Sequence, residues 1–96
     1  MKRAQVLEIL SANKGGVRQF FVKSLAIFGS VARDEATEQS DIDILVEFDR
    51  PVGLFHMARL RRHLEELLGC KVDLATRGAL RKEMKEQILK EAIYAS

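Results

Sequence analysis

The sequence predicts an α/β (α+β) domain: a small mixed sheet with helices packed on one face. Three observations predict it. Stretches with helical apolar spacing alternate along the chain with short runs of strand character. The helix-like stretches keep a polar side, whereas the strand-like ones are continuously apolar or strictly alternating. The composition is globular, with 47% hydrophobic and 31% charged residues in a chain of 96, a balance unlike that of disordered segments.

The elements follow in order. Residues 4–12 place Val6, Leu7, Ile9 and Leu10 on one side of a helix, and Asn13-Lys14-Gly15-Gly16 reads as its C-terminal stop. A second short helix is expected through Arg18-Gln19-Phe20-Phe21. Ser24-Leu25-Ala26-Ile27-Phe28, ended by Gly29, suits a buried strand. Ser30 is placed to cap a helical turn through Val31-Ala32-Arg33, and residues 34–40 form a polar connection. The clearest strand is Asp41–Phe48, where Ile42, Ile44, Val46 and Phe48 share one parity and Asp41, Asp43 and Glu47 the other. After the single proline, Pro51, an amphipathic helix over 54–68 carries Met57, Leu60, Leu64, Leu67 and Leu68, and Gly69 stops it. Lys71–Ala75 is a third strand, with Val72 and Leu74 opposite Asp73 in parity. From about Ala79 to Ala92 a last helix lines up Leu80, Met84, Ile88, Leu89 and Ala92.

Several classes fall away. The length suits one domain over residues 1–96. A net charge of +2 is too small for a nucleic-acid footprint. Cys70 stands alone, so no intrachain disulfide forms, and no Cys/His group has zinc spacing. No apolar run approaches the ~20 residues of a membrane span, and Glu8 and Asn13 interrupt any signal-peptide core. The expectation is a soluble chain of a reducing cytoplasm, away from membranes.

The chemistry gathers on acids and a turn. Asp41, Asp43 and Asp73 all take the parity opposite the core-forming residues. Asp41 and Asp43, two positions apart, project together roughly 7 Å along one strand. Carboxylates of this kind suit Mg²⁺ or Mn²⁺, and a neighbouring strand carrying Asp73 would complete a site for two ions about 4 Å apart. The plainer alternative is that Asp-x-Asp is the solvent face of an edge strand. Gly29-Ser30, between a strand and a helical turn, offers free N–H groups and a hydroxyl where phosphate binds readily. Its own alternative is an ordinary strand-to-helix turn with a serine cap.

The combination is specific. Gly29-Ser30, ten intervening residues, then Asp41-Ile42-Asp43 resembles the Gly-Ser-x10-Asp-x-Asp signature of the DNA polymerase beta-like nucleotidyltransferase superfamily. Four positions at ordinary frequencies of about 5–7% coincide in roughly one window in 10⁵. The strings Phe28–Arg33, Ser40–Val46 and Val72-Asp73-Leu74 resemble the minimal nucleotidyltransferase branch, the antitoxin half of HEPN/MNT-type toxin–antitoxin pairs. One departure is Asp34, where a glycine is expected; an acid there would weaken nucleotide affinity if it lay on the phosphate path.

The resemblance implies a polymerase beta-like nucleotidyltransferase fold. It also implies a metal-dependent nucleotidyltransferase that moves AMP from ATP, or another NMP from its NTP, to a hydroxyl. Asp41 and Asp43 would hold two Mg²⁺ ions, with Mn²⁺ as an alternative. Asp73 would complete the metal site and help deprotonate the acceptor. Gly29 and Ser30 would bind phosphates, with Arg33 as their positive partner. Larger relatives grip their acceptor with an added domain, so here a partner supplies it, without direct nucleic-acid binding. The implied partner is a small helical HEPN toxin, adenylylated on a tyrosine by a protein adenylyltransferase acting as antitoxin. A non-catalytic module that neutralises the toxin by contact is the alternative. Apolar residues on the first or last helix, or around Leu54 and Phe55, are expected to make a contact with that partner or with a second copy, a possible homo-oligomer. His56 and His63 read as part of a polar helix face, Cys70 as packing, and Tyr94 as an anchor of the last helix.

Overall fold

The computed structural model describes residues 1–95. Its elements are α1 (Arg3–Ala12), α2 (Lys14–Arg18), β1 (Val22–Phe28), α3 (Gly29–Ala32), β2 (Ile42–Phe48), α4 (Leu54–Leu68), β3 (Val72–Thr76), α5 (Lys82–Glu91) and β4 (Ile93–Tyr94). A turn of 3₁₀ helix over Arg77–Ala79 precedes α5. The four strands form one mixed sheet in the order β3-β2-β1-β4. β1 is antiparallel to both β2 and β4, and β2 runs parallel to β3.

Alternation along the strands explains the main core. Leu25 and Ile27 of β1, Ile42, Ile44 and Val46 of β2, and Val72 of β3 point to one face. There they meet Val6 and Leu10 of α1, Val17 of α2, and Leu60, Leu64 and Leu68 of α4. The 54–68 helix has the bounds its spacing predicts, and Gly69 ends it in the left-handed region at φ 70°. Glycine occupies that region without the Cβ clash other residues suffer.

The α/β class and the mixed sheet stand as read, but one helix departs from the one-face arrangement. α5 packs Ile88 against Ala26 and Phe28 of β1 and Leu45 of β2, on the opposite face of the sheet. The reason is visible in β1, whose four consecutive apolar residues Leu25–Phe28 are buried on both sides. Leu45, apolar at the parity of the aspartates, extends that second apolar surface.

Local boundaries also shift. Asn13 closes α1 through its Nδ2, which donates to the Ile9 carbonyl at 2.7 Å. The chain re-enters helix at once, so Gly15 and Gly16 lie inside α2 rather than in a stop, and that turn sends Val17 into the core. Residues 19–21, expected as helix, instead form the turn into β1, with Phe21 at φ 64°. α3 begins at Gly29 with Phe28 as its N-cap residue, and Ser30 makes no capping bond. The C-terminal helix is shorter than its apolar spacing implied, and the two-residue strand β4 follows it.

His56 and His63 do not lie on a polar face. His56 stacks on Phe21 at 5.4 Å and meets Phe20 and Phe48 edge-on, while His63 packs against Phe20 at 5.1 Å. Leu54 and Phe55, at the start of α4, are 88% and 84% exposed. Among the described residues no helix is long and apolar enough to cross a membrane.

Candidate active site

Register builds the site. Phe28 of β1 pairs with Asp43 of β2, and Asp43 pairs with Asp73 of β3, so the three form one row across the sheet. The adjoining row on the same face, Ala26, Leu45 and Ala75, lies in the cluster under α5. The site therefore opens where this second apolar layer ends. Beside α5 is a cavity of about 460 Å³, lined by Gly29, Ser30, Arg33, Asp43, Asp73 and Glu91 among others.

Asp43 sits at its centre of charge. Burial first, then the charges of Asp73 and Asp41 and a hydrogen bond with Asp73, push its carboxyl up to about 6, against a weaker opposing pull from Arg33. Two carboxylates in register cannot both ionise without strain, so Asp43 retains its proton more readily than an isolated aspartate.

Gly29 is fixed by two constraints. Its φ is +69°, and a Cβ built there would overlap Oδ2 of Asp43. Only a residue without a side chain lets the backbone cross over the carboxylate at this point. The Gly29 N–H is aimed into the cavity, where it donates to Oε1 of Glu91 at 2.9 Å. Arg33, one turn on, donates from Nη1 to Oε2 of Glu91 at 3.0 Å and from Nε to Oε1 of Glu35 at 2.8 Å. The bond to Glu35, then the bond to Glu91, hold its guanidinium still more firmly protonated than usual.

Of the residues singled out in the sequence, the fold thus gathers Gly29, Ser30, Arg33, Asp43 and Asp73 around one cavity. Asp41 stands apart from it. It precedes β2, is exposed, and lines a separate depression with Ser40, Cys70 and Lys71. Its charge nevertheless reaches Asp43. Among the described residues no three His, Cys, Asp or Glu side chains already converge as a metal-binding group. The donor chemistry fits a hard divalent cation all the same: the paired oxygens of Asp43 and Asp73 repel one another, and a cation between carboxylates relieves that repulsion. Such ions use few protein carboxylates and complete their shell with water and phosphate oxygens.

Asp34 has a structural explanation. It lies at φ 59°, where glycine is easiest and aspartate is among the tolerated alternatives. Its Oδ1 accepts the Arg3 N–H at 3.0 Å, and it does not line the cavity. Ser40 is a loop hydroxyl, accepting the Thr37 N–H at 3.0 Å. Glu91 is the residue that sequence reasoning passed over. Its signal was faint: an acid in the last turn of a helix, where the dipole disfavours it.

Residues 4–95 match the model of the nucleotidyltransferase domain family. The chain belongs to that family. Protein adenylyltransferase MntA of Thermococcus cleftensis is 38% identical to it over 91 residues, 94% of this chain and 92% of that protein. A solved structure described as a minimal nucleotidyltransferase is 40% identical and superposes with a TM-score of 0.76, covering 97% of this chain and 95% of that one. The fold also recurs, with a TM-score of 0.67 at 17% identity, in a complex of a tri-AMPylated Shewanella oneidensis HEPN toxin with its MNT antitoxin, over 94% of this chain and 71% of that one. This nucleotidyltransferase therefore has the mixed sheet of its relatives, with Gly29 and the Asp43–Asp73 pair at one edge of the layer under α5.

Proposed function

We propose that this nucleotidyltransferase is a metal-dependent protein adenylyltransferase, moving AMP from ATP to a tyrosine hydroxyl of a small helical HEPN toxin and so acting as its antitoxin. The observation that carries the reading is the meeting of opposite demands in one cavity. The Asp43–Asp73 pair lines the same cavity as the Gly29 N–H and the Arg33 guanidinium. Carboxylates suited to a cation, beside donors suited to an anion, match a cation-bound triphosphate. The MntA relative supports adenylyl transfer to protein, and the HEPN complex, alike in fold, suggests the class of partner.

In this mechanism Asp43 and Asp73 would hold Mg²⁺, with Asp41, which precedes β2, as a further ligand. The bound ions would neutralise charge on the triphosphate and favour ionisation of the acceptor hydroxyl. Gly29, Ser30 and Arg33 orient the β- and γ-phosphates, which leaves the α-phosphorus facing the acceptor. The tyrosine oxygen bonds to that phosphorus, the bond to the β-phosphate bridging oxygen breaks, and pyrophosphate departs. Asp73, exposed at the start of β3, takes the hydroxyl proton. Leu54 and Phe55 lie exposed for a contact with the toxin or with a second copy.

The test is the double substitution Asp41→Asn with Asp43→Asn, which removes two charges at nearly constant volume. Mixed with ATP, Mg²⁺ and its HEPN partner, the parent should add AMP to the toxin. The variant should bind the toxin, leave its mass unchanged and lose at least ~100-fold in transfer rate. Equal neutralisation by both proteins, with no AMP on the toxin in either mixture, would instead establish a binding module.

A further inference from the structure

Glu91 occupies the part of the cavity that an anionic ligand would need. Its two carboxylate oxygens accept from two donors at once, Oε1 from the Gly29 N–H at 2.9 Å and Oε2 from Arg33 Nη1 at 3.0 Å. Arg33 is the one cationic side chain among the residues lining the cavity, against three acids, Asp43, Asp73 and Glu91. A carboxylate bridging a backbone N–H and a guanidinium uses the same charge-assisted bonds that a phosphate oxygen would use.

The placement of Glu91 is not a product of helix preference. It is the last residue of α5, where the negative end of the helix dipole disfavours an acid. Tertiary structure holds it there. β4, two residues on, pairs Ile93 with Ile27 and Tyr94 with Ala26, which fixes the end of α5 beside the turn that follows β1. The Glu91 side chain is only 20% exposed and its bond to the Gly29 N–H is partly buried, whereas Arg33 is 48% exposed and that ion pair meets solvent.

We propose that Glu91 is a tethered competitor for the phosphate chain, holding the Gly29 N–H and Arg33 in the nucleotide-free protein and displaced when a polyphosphate binds. This rests on the reading that Gly29 and Arg33 are phosphate donors. The Gly29 N–H has one strong bond to give, so a phosphate oxygen takes it only as Oε1 of Glu91 leaves. Glu91 thereby lowers affinity for any polyphosphate that arrives without a cation to offset the three acids, and leaves recognition of the nucleoside untouched.

Tripolyphosphate and adenosine, each without metal, separate these effects. Calorimetric titration of the parent, Glu91→Gln and Glu91→Ala should show tripolyphosphate bound on the order of tenfold more tightly by both variants, the size of one charge-assisted bond. Adenosine affinity should be unchanged. In the parent, the Gly29 amide and the Glu91 side-chain carboxyl carbon should shift together in NMR spectra as tripolyphosphate is added, a readout that needs no variant to fold. Equal or weaker tripolyphosphate binding by both folded variants overturns the proposal, as does saturation of the parent without movement of the Glu91 signal. Arg33→Ala tests the underlying reading separately. If tripolyphosphate binds that variant as well as the parent, the phosphate assignment itself fails, whatever Glu91 does.

Discussion

Gly29 and Asp43 are one device at the scale of single residues. The backbone at Gly29 is left-handed and lies against the Asp43 carboxylate, so that Oδ2 occupies the space of a missing Cβ. Gly29→Ala should therefore destabilise the fold by at least about 1–2 kcal/mol from the backbone conformation alone, and should move Asp43 as well. Thermal unfolding and adenylylation assays check both effects, and a variant with parental stability and rate would contradict the geometry. Asp43 adds a pH signature. Its carboxyl titrates at about 6 in the folded protein against an ordinary 3.8, so the folded state holds the proton more tightly than the unfolded one. That contribution is complete below pH 3.8 and is lost as pH rises through 6. Asparagine imitates the protonated form. The melting temperature of Asp43→Asn should thus exceed the parent's at pH 8, and the gap should shrink toward pH 4. A gap that is constant with pH would mean Asp43 is not crowded in the folded state.

Elements show what was legible in the sequence and what was not. β2 carried its register in plain alternation, so the side on which Asp43 lies followed from Ile42, Ile44 and Val46 being buried. α4 was equally legible, because fifteen residues give four turns of consistent spacing and a glycine ends them. Short elements escaped for a physical reason: α2 spans five residues and β4 two, too few for a period to declare itself. Whether the strands would bring Asp43 and Asp73 together was not fixed by parity alone. It depends on β2 and β3 being parallel neighbours, with Asp43 opposite Asp73. Glu91 was illegible for the same kind of reason, since its partners are 62 and 58 residues away in the chain. Asp41 differs. Its parity is that of Asp43, but it lies just before the strand begins, where sheet pairing no longer dictates direction.

The whole molecule has two unequal apolar layers, and the smaller one carries the site. On one face α1, α2 and α4 cover the sheet with a large cluster that includes Val6, Leu10, Leu60, Leu64 and Leu68. On the other, Ile88 of α5 is the single buried helix residue, resting on Ala26, Phe28 and Leu45. Leu89 and Glu91 are half-buried, and the remaining residues of α5 face solvent, with Met84 51% exposed. Docking of α5 therefore rests on the smaller apolar layer, and Glu91 and part of the cavity wall depend on it. Ile88→Ala removes the one buried side chain of α5 in that contact, a loss of roughly 2–4 kcal/mol for a buried isoleucine. Because the main core lies across the sheet, the loss should appear as local opening rather than global unfolding. Amide hydrogen exchange of α5 should accelerate by about 30-fold or more, while amides of β2 and α4 keep most of their protection. Adenylylation should fall in parallel, since the part of the cavity wall that α5 supplies then opens more often. Uniform acceleration of exchange in α4, β2 and α5 alike would show instead that the two layers unfold as one unit, and that the site is as stable as the core beneath it.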